Sequence, residues 1–280
     1  MSEPVELAAG ISVFQAPLWQ TNSLLALSGS DALVCDPCWT PAEISALHER
    51  ASAQSGDVQL LLTHADYDHT CGIGLFAEAT VVAGATTAER IESGEAAKGL
   101  ATAGREWGLE WPGEPRVDRV VEAGVEISCG SFRIETIDAR GHVADGLAFV
   151  LPDQHLLLPG DYLSAITYPY VTASVEESRR TIERLLEALE RPEIAWVVPG
   201  HGPPLERDDA RTIGHTDLAY LERLAAAAHR AVERGLSPGD SLLAAFAVQP
   251  PRANTDDFEV FSLRARNAER ALAEARESTP

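Results

Sequence analysis

Short apolar runs broken by turn residues open the chain. "ISVFQAP", "NSLLALSG" and "DALVCDP" are each bounded by Gly, Asn, Asp or Pro, the pattern of strands joined in a meander. "TPAEISALHERASAQ" then predicts a helix, with Thr40 as N-cap, Pro41 at the first helical position and Glu43 at the capping-box position. Ile44, Leu47 and Ala51 fall on one face of it. "VQLLLT", residues 58 to 63, is a largely apolar run of strand length, which suits an interior strand covered on both faces. "TCGIGLFAEA" is expected to begin the next helix and "TVVAG" the next strand. Residues 85 to 115 mix short helical pieces with Gly and Pro and read as an excursion near the rim of a site.

A second β-rich half is expected to start at "RVDRVV" and to run through "VEIS", "FRIETIDA", "LAFVLP" and "HLLLPGD". It closes with a helix over "SVEESRRTIERLLEALE" and a strand "IAWVVPG". Both halves therefore place strands first and a helix after them. From Leu205 the pattern turns helical, with "TDLAYLERLAAAAHRAVERG" ended by Gly235 and "FEVFSLRARNAERALAEARES" following. The expected organisation is a main domain over 1–204 and a helical C-terminal extension over 205–280 packed on it.

A length of 280 residues suits one sizeable domain with an appendage, and 45% hydrophobic with 23% charged residues is the range of globular enzymes. No apolar run approaches the length of a membrane span, so no membrane partner is expected. Twenty-two basic against 43 acidic residues leave a net charge of -21, a field that repels polyanions; no nucleic-acid partner is expected either. The N-terminus has neither a basic nor an apolar segment of a secretory signal, and the expected location is cytoplasmic. "CDPC" has redox or half-zinc spacing but no second copy, so Cys35 is expected to end a buried strand and Cys38 to lie in the turn before a helix.

Candidate chemistry concentrates in "THADYDH", residues 63 to 69, where His64, Asp66, Asp68 and His69 crowd together. His142 in "ARGHVADG", Asp161 in "LLLPGDYL" and His201 in "VVPGHGPP" each follow a predicted strand, where loops converge and sheet enzymes build sites. Gly141, Gly160 and Gly200 precede them and permit tight turns or close backbone approach.

At these positions the chain resembles the metallo-β-lactamase superfamily of binuclear metallohydrolases, whose pattern is Thr-His-x-His-x-Asp-His followed by Gly-His, Gly-Asp and a second Gly-His. The match spans Thr63 to Gly202 with order and strand context kept. The resemblance implies an α/β fold, a four-layer αββα sandwich. It also implies a first metal held by His64, Asp66 and His142, a second held by Asp68, His69 and His201, and Asp161 bridging both. The implied cofactors are two divalent metal ions, zinc first, with manganese or iron as alternatives. A metal-bridging hydroxide would attack the substrate, with Asp68 as a candidate proton acceptor.

Asp66 departs from the common motif, which has histidine there. Carboxylates at 66, 68 and 161 plus one hydroxide cancel the charge of two divalent ions, whereas histidine at 66 would leave one positive unit. A harder oxygen donor also tilts preference from zinc toward manganese or iron. The motif resembles the His-x-Asp-x-Asp-His pattern in the hydrolase domain of bacterial DNA-uptake channel proteins. That favours a working variant over a weakened first site.

The expected activity is hydrolysis of an ester, thioester, lactone or related bond of a small-molecule substrate. A phosphodiesterase of the same fold, an iron-dependent redox enzyme and a non-catalytic metal-binding scaffold are the alternatives. Tyr168 and Tyr170 in "AITYPYV" follow Asp161 and are candidates to contact substrate, against plain packing; His215 is a candidate remote contact. His48, His155 and His229 read as surface or packing residues, and the helical tail is where any homodimer contact is expected. "GIGLFA" fits a dinucleotide fingerprint only loosely, because the ligand-rich loop separates it from the strand.

Overall fold

Side chains on a strand alternate between its two faces, and here both faces are buried, so the strands stack as two sheets between helices. The computed structural model describes residues 3–252 and 260–278. The first sheet begins with an antiparallel meander, β1 (Val5–Ala8), β2 (Ile11–Gln15), β3 (Asn22–Ser28) and β4 (Asp31–Cys35). Helix α1 (Pro41–Ser52) crosses to β5 (Val58–Leu61), and β6 (Thr80–Gly84) and β7 (Arg119–Val121) continue the sheet in parallel. Between them lie α2 (Tyr67–Thr70), α3 (Ala85–Glu92) and α4 (Glu95–Trp107). The second sheet comprises β8 (Glu126–Cys129), β9 (Phe132–Asp138), β10 (Leu147–Leu151), β11 (Leu156–Leu158), β12 (Trp196–Val197) and β13 (Leu205–Glu206). Helix α5 (Val175–Ala188) makes a parallel crossover from β11 to β12. Helices α6 (Arg207–Glu233), α7 (Pro238–Phe246) and α8 (Val260–Glu277) complete the outer layer.

Period-two alternation assigns the cores. Leu24, Leu33, Leu61 and Val82 meet Phe132, Ile134, Phe149 and Leu158 between the sheets. Their sequence neighbours Leu25, Val34, Leu60 and Val81 turn outward onto Ile44 and Leu47 of α1. Val150 and Leu157 turn the other way, onto Ile182, Leu185, Leu221 and Leu272. The result is the expected αββα sandwich with a helical C-terminal region. Each such aliphatic or phenyl side chain contributes about 1.5–3 kcal/mol relative to exposure. The capping box of α1 forms as expected, with Glu43 N donating to Thr40 Oγ1 at 3.4 Å and Thr40 N to Glu43 Oε2 at 3.0 Å.

Several expectations shift. β7, read as the start of the second half, pairs with β6 and ends the first sheet, so the second sheet starts at β8. No helix starts at "TCGIGLFAEA": the single turn of α2 comes earlier, and a 3-10 turn at Ile73–Leu75 follows. Backbone contact is the reason. A Cβ on Gly72 would lie 2.7 Å from Pro37 O, and one on Gly74 would collide with Pro112, so both segments close onto bare glycine. In the tail, Leu205 and Glu206 still belong to the sheet, α6 starts at Arg207, and α7 was not anticipated. Residues 253–259 and 279–280 of the expected extension, and 1–2 of the main domain, lie outside the described residues. All four cysteines are buried thiols, with Cys35 ending β4 and Cys38 in the loop before α1. Among the described residues no helix is long and apolar enough to cross a membrane.

Candidate metal centre

The C-terminal ends of β5, β9, β11 and β12 open at one end of the sandwich and deliver the motif residues. After β5 the chain runs through His64 into α2, where Asp66 is the N-cap residue without making a capping bond, and Asp68 and His69 fall within one helical turn. His142 comes from the loop after β9, Asp161 from the loop after β11 and His201 from the turn after β12. Gly200 has no alternative: a Cβ there would collide with Asp161 and sit 2.8 Å from His69 Cε1.

The structure brings all seven expected ligands together, with the four histidines around Asp161 and Asp66 and Asp68 beside the histidines. Asp161 Oδ1 lies 3.1 Å from His69 Nε2, and its Oδ2 lies 3.3 Å from both His142 Nε2 and His201 Nε2 and 4.0 Å from His64 Nε2. Asp66 Oδ2 is 3.7 Å from His142 Nε2 and 3.8 Å from His64 Nε2. Asp68 Oδ2 is 3.5 Å from His201 Nε2 and 3.8 Å from His69 Nε2. Within each of the sets His64/Asp66/His142, Asp68/His69/His201 and His64/His69/Asp161, the donor atoms lie within 4.8 Å of one another.

The outer ring nitrogens explain why the inner ones face inward. His142 Nδ1–H donates to Tyr170 O at 2.7 Å, and His201 Nδ1–H to Trp19 O at 3.1 Å. His69 Nδ1 lies 3.0 Å from Asp36 Oδ2. Thr63 Oγ1 gives its proton to Asp36 Oδ2 at 2.6 Å, so it can only accept from His64 Nδ1, 3.0 Å away. Every imidazole thus has its Nδ1 proton committed and directs Nε2 into the shared space. His64 Nε2, His69 Nε2, His142 Nε2 and Asp161 Oδ1 are buried without a hydrogen-bond partner. A neutral imidazole fixed by an outer acceptor, its other nitrogen unpartnered beside carboxylates, is the arrangement that divalent metal ions require of a protein.

Two supporting residues escaped the sequence reading. Asp36 is 4% exposed and accepts from Thr63 N at 2.8 Å as well as from the groups above. It follows β4 as the candidate ligands follow their strands, and that position was the available signal. Its φ of 50° lies in the left-handed region that aspartate tolerates better than most residues. Arg90 on α3 is the other. Its Nη2 donates to Asp66 Oδ1 at 2.9 Å and to Glu95 Oε1 at 2.7 Å, and its Nη1 pairs with Asp145. Asp145 is fully buried and accepts from Ala65 N, between two candidate ligands, at 2.9 Å. Asp66 therefore turns one oxygen to a cation and the other to the histidines. The charge balance drawn from ligands alone omits this guanidinium.

Burial opposes every charge here, and the mutual pairs decide. Burial lowers the His142 pKa, but Asp66 and Asp161 reverse this and push it up to about 9. His69 and His201 likewise end above the ordinary value because carboxylates outweigh burial. His64 ends below it, from burial and the neighbouring His69. Burial raises Asp66 and Asp161, yet the surrounding imidazoles, with Arg90 for Asp66, hold both well below the usual carboxylate range. The site is a cation trap in which metal ions and protons compete for the same nitrogens.

The remaining candidates separate. Tyr168 is 1% exposed and packs edge-on against Tyr220 in the core, which removes it as a substrate contact. Tyr170 presents its carbonyl to His142 while its hydroxyl accepts from Arg266 Nη1 at 2.6 Å. His215 is exposed on α6 and is not among the residues gathered at Asp161. Tyr67, between Asp66 and Asp68, packs against Trp19 and Trp39.

A family model described as the Metallo-beta-lactamase superfamily matches residues 16–201. A metallo-beta-lactamase family protein from Thermus thermophilus superposes with a TM-score of 0.68 over 97% of this chain and 95% of its own, at 19% identity. A metallo-beta-lactamase from Pontibacter korlensis gives 0.56 over 79% of this chain and 98% of its own, at 20% identity. A protein solved in a di-iron-bound form gives 0.55 over 74% and 96%, at 25% identity. Hydroxyacylglutathione hydrolase of Brucella ovis is 38% identical over 52 residues, 19% of this chain and 20% of that protein. The chain thus spans about a fifth of the length of the curated relatives it matches.

Proposed function

The chain belongs to the metallo-β-lactamase superfamily, and from that premise we propose that it is a metal-dependent hydrolase of a small-molecule ester, thioester or lactone. Thioesters are the first class to test, because the short matching stretch comes from a hydroxyacylglutathione hydrolase. The observation that carries the reading is the set of four imidazoles with committed Nδ1 protons and inward Nε2 atoms around Asp161. His64, Asp66 and His142 would hold one ion, Asp68, His69 and His201 a second, and Asp161 would serve both. Bound divalent ions supply an acidified water and a Lewis acid for the substrate's carbonyl oxygen.

The chain's own residues do the rest. Asp36 and the Trp19 carbonyl keep His69 and His201 in the tautomer that leaves Nε2 free. Asp68 Oδ2, beside His201 and His69, is the candidate proton acceptor. Arg90 holds Asp66 Oδ1 while it also pairs with Asp145 and Glu95, so it orients Asp66 without adding a net positive charge to the first site. The net charge of -21 disfavours polyanionic substrates and places phosphodiesters in nucleic acids last.

Iron is the second reading for the metal, favoured by the carboxylate at 66 and by the neighbour solved with two irons. The deciding experiment measures metal content per purified chain together with hydrolysis of a thioester and ester panel, with and without chelator. Two ions and chelator-sensitive thioester turnover are expected. Turnover that survives removal of all metal would reject the proposal.

A further inference from the structure

His142 is gripped twice by the segment that follows Asp161. Its ring donates to Tyr170 O, and its carbonyl accepts from Thr172 N at 2.8 Å and Thr172 Oγ1 at 2.6 Å. Residues 170 and 172 thus face His142. The alternate residues face the C-terminal helix: Asn267 Nδ2 donates to Pro169 O at 2.7 Å, and Val171 N donates to Asn267 Oδ1 at 2.8 Å. Asn267 is fully buried and also reaches Tyr220 OH on α6 at 3.2 Å. On the same helix Arg266 holds the Tyr170 hydroxyl, and Glu274 accepts from Val175 N at 2.8 Å, where α5 begins.

We infer that Asn267 is a positioning residue for the metal site, and that α8 holds His142 in its ligand pose through the backbone of residues 169–172. The physical basis is the amide's two ends. A single planar amide, its oxygen accepting from Val171 N and its nitrogen donating to Pro169 O, clamps the peptides on both sides of Tyr170 and holds the Tyr170 carbonyl toward His142 Nδ1. Fixing that carbonyl fixes both the tautomer and the ring orientation of His142. The inference rests on the reading of His142 as a metal ligand.

The test titrates zinc alone into metal-free full-length protein, with a competing chromophoric chelator to resolve two affinities, and follows thermal unfolding in parallel. Asn267→Ala is expected to weaken one affinity by up to about tenfold and leave the other unchanged, the low end of the range for removal of a ligand's direct outer partner, because the Tyr170 carbonyl itself remains. The near-isosteric Asn267→Asp keeps an acceptor for Val171 N but sets a carboxylate oxygen against Pro169 O in a buried position, and is expected to weaken the same site as well. In a His142→Ala background, Asn267→Ala is expected to change zinc affinity no further. If His142→Ala weakens zinc binding while both Asn267 variants bind as wild type, the positioning role is overturned alone. If His142→Ala leaves zinc binding unchanged, the ligand reading falls and this inference with it. A loss of equal size in the His142→Ala background would show that Asn267 acts on general stability and would also overturn it.

Discussion

The two halves of the candidate centre are supported in different ways. His69 and His201 lean on short, buried contacts from the loops of the first sheet, Asp36 and the Trp19 carbonyl, and Thr63 extends that support to His64. Asp66 and His142 depend on groups from distant elements: Arg90 on α3, with Asp145 behind it, and the segment held by α8. The first arrangement is expected to be the more rigid, because its supports belong to the sheet and its loops. The second is expected to be the more adjustable, since charge and the helical tail both act on it. Variation within one fold is therefore expected to enter through the His64/Asp66/His142 half.

The largest effect that would break this contrast is at Asp36. Asp36→Ala leaves Thr63 N and His69 Nδ1 unpaired inside the protein, and a loss of about 3–5 kcal/mol in urea unfolding is expected together with loss of one zinc affinity. An unfolding curve like that of wild type would mean that the sheet-side half is no more rigid than the other.

Next in size is the exchange at Asp66. With Arg90 in place, Asp66→His puts an imidazole against a guanidinium, and zinc affinity at that site is expected to fall about tenfold, roughly 1.4 kcal/mol, although the common motif is restored. Asp66→His combined with Arg90→Met is expected to recover part of that affinity. Tighter binding by Asp66→His alone would make Asp66 a defect instead of half of a pair.

A smaller effect is set by pH. In metal-free protein His142 titrates at about 9 against an ordinary 6.5, so it is protonated at neutrality and must lose that proton to bind an ion. Zinc affinity is therefore expected to rise with pH until about pH 9, with protons released on binding. The metal-free fold shows the opposite sign: the stability from His142's raised pKa is complete below 6.5 and is lost as pH rises through about 9. Calorimetry in buffers of different ionisation heat reads the released protons; no release at pH 7 would contradict the raised pKa of His142.

The smallest effect is a control outside both halves. Thr40→Ala removes the capping box of α1 and is expected to cost about 1 kcal/mol in urea unfolding with both zinc affinities unchanged. A change in either affinity would extend the rigid half to the outer helix layer.

How much was legible follows the range of each interaction. The strands at 11–15, 22–28 and 31–35 and the capping box at Thr40 depend on neighbours within a few residues and formed as read, and the candidate ligands, read from a motif and from strand ends, meet at one point. The allegiance of β7 was not legible, because an edge strand with one buried residue of three carries too little pattern to choose a sheet. Tyr168 and Tyr170 look alike in sequence, and only packing sent the first into the core and set the second's carbonyl on His142.

By itself the sequence determined the layered α/β plan and the identity of the candidate ligands, since hydrophobic period and residue type are local properties that one chain carries whole. Tertiary structure alone decided what steers those ligands. Arg90 meets Asp66 across 24 positions, Asp36 meets His69 across 33, and Asn267 meets Val171 across 96. Such pairs leave no periodicity behind; they exist because two sheets and a returning helix close on one point, where buried charge and buried amide each needed a partner.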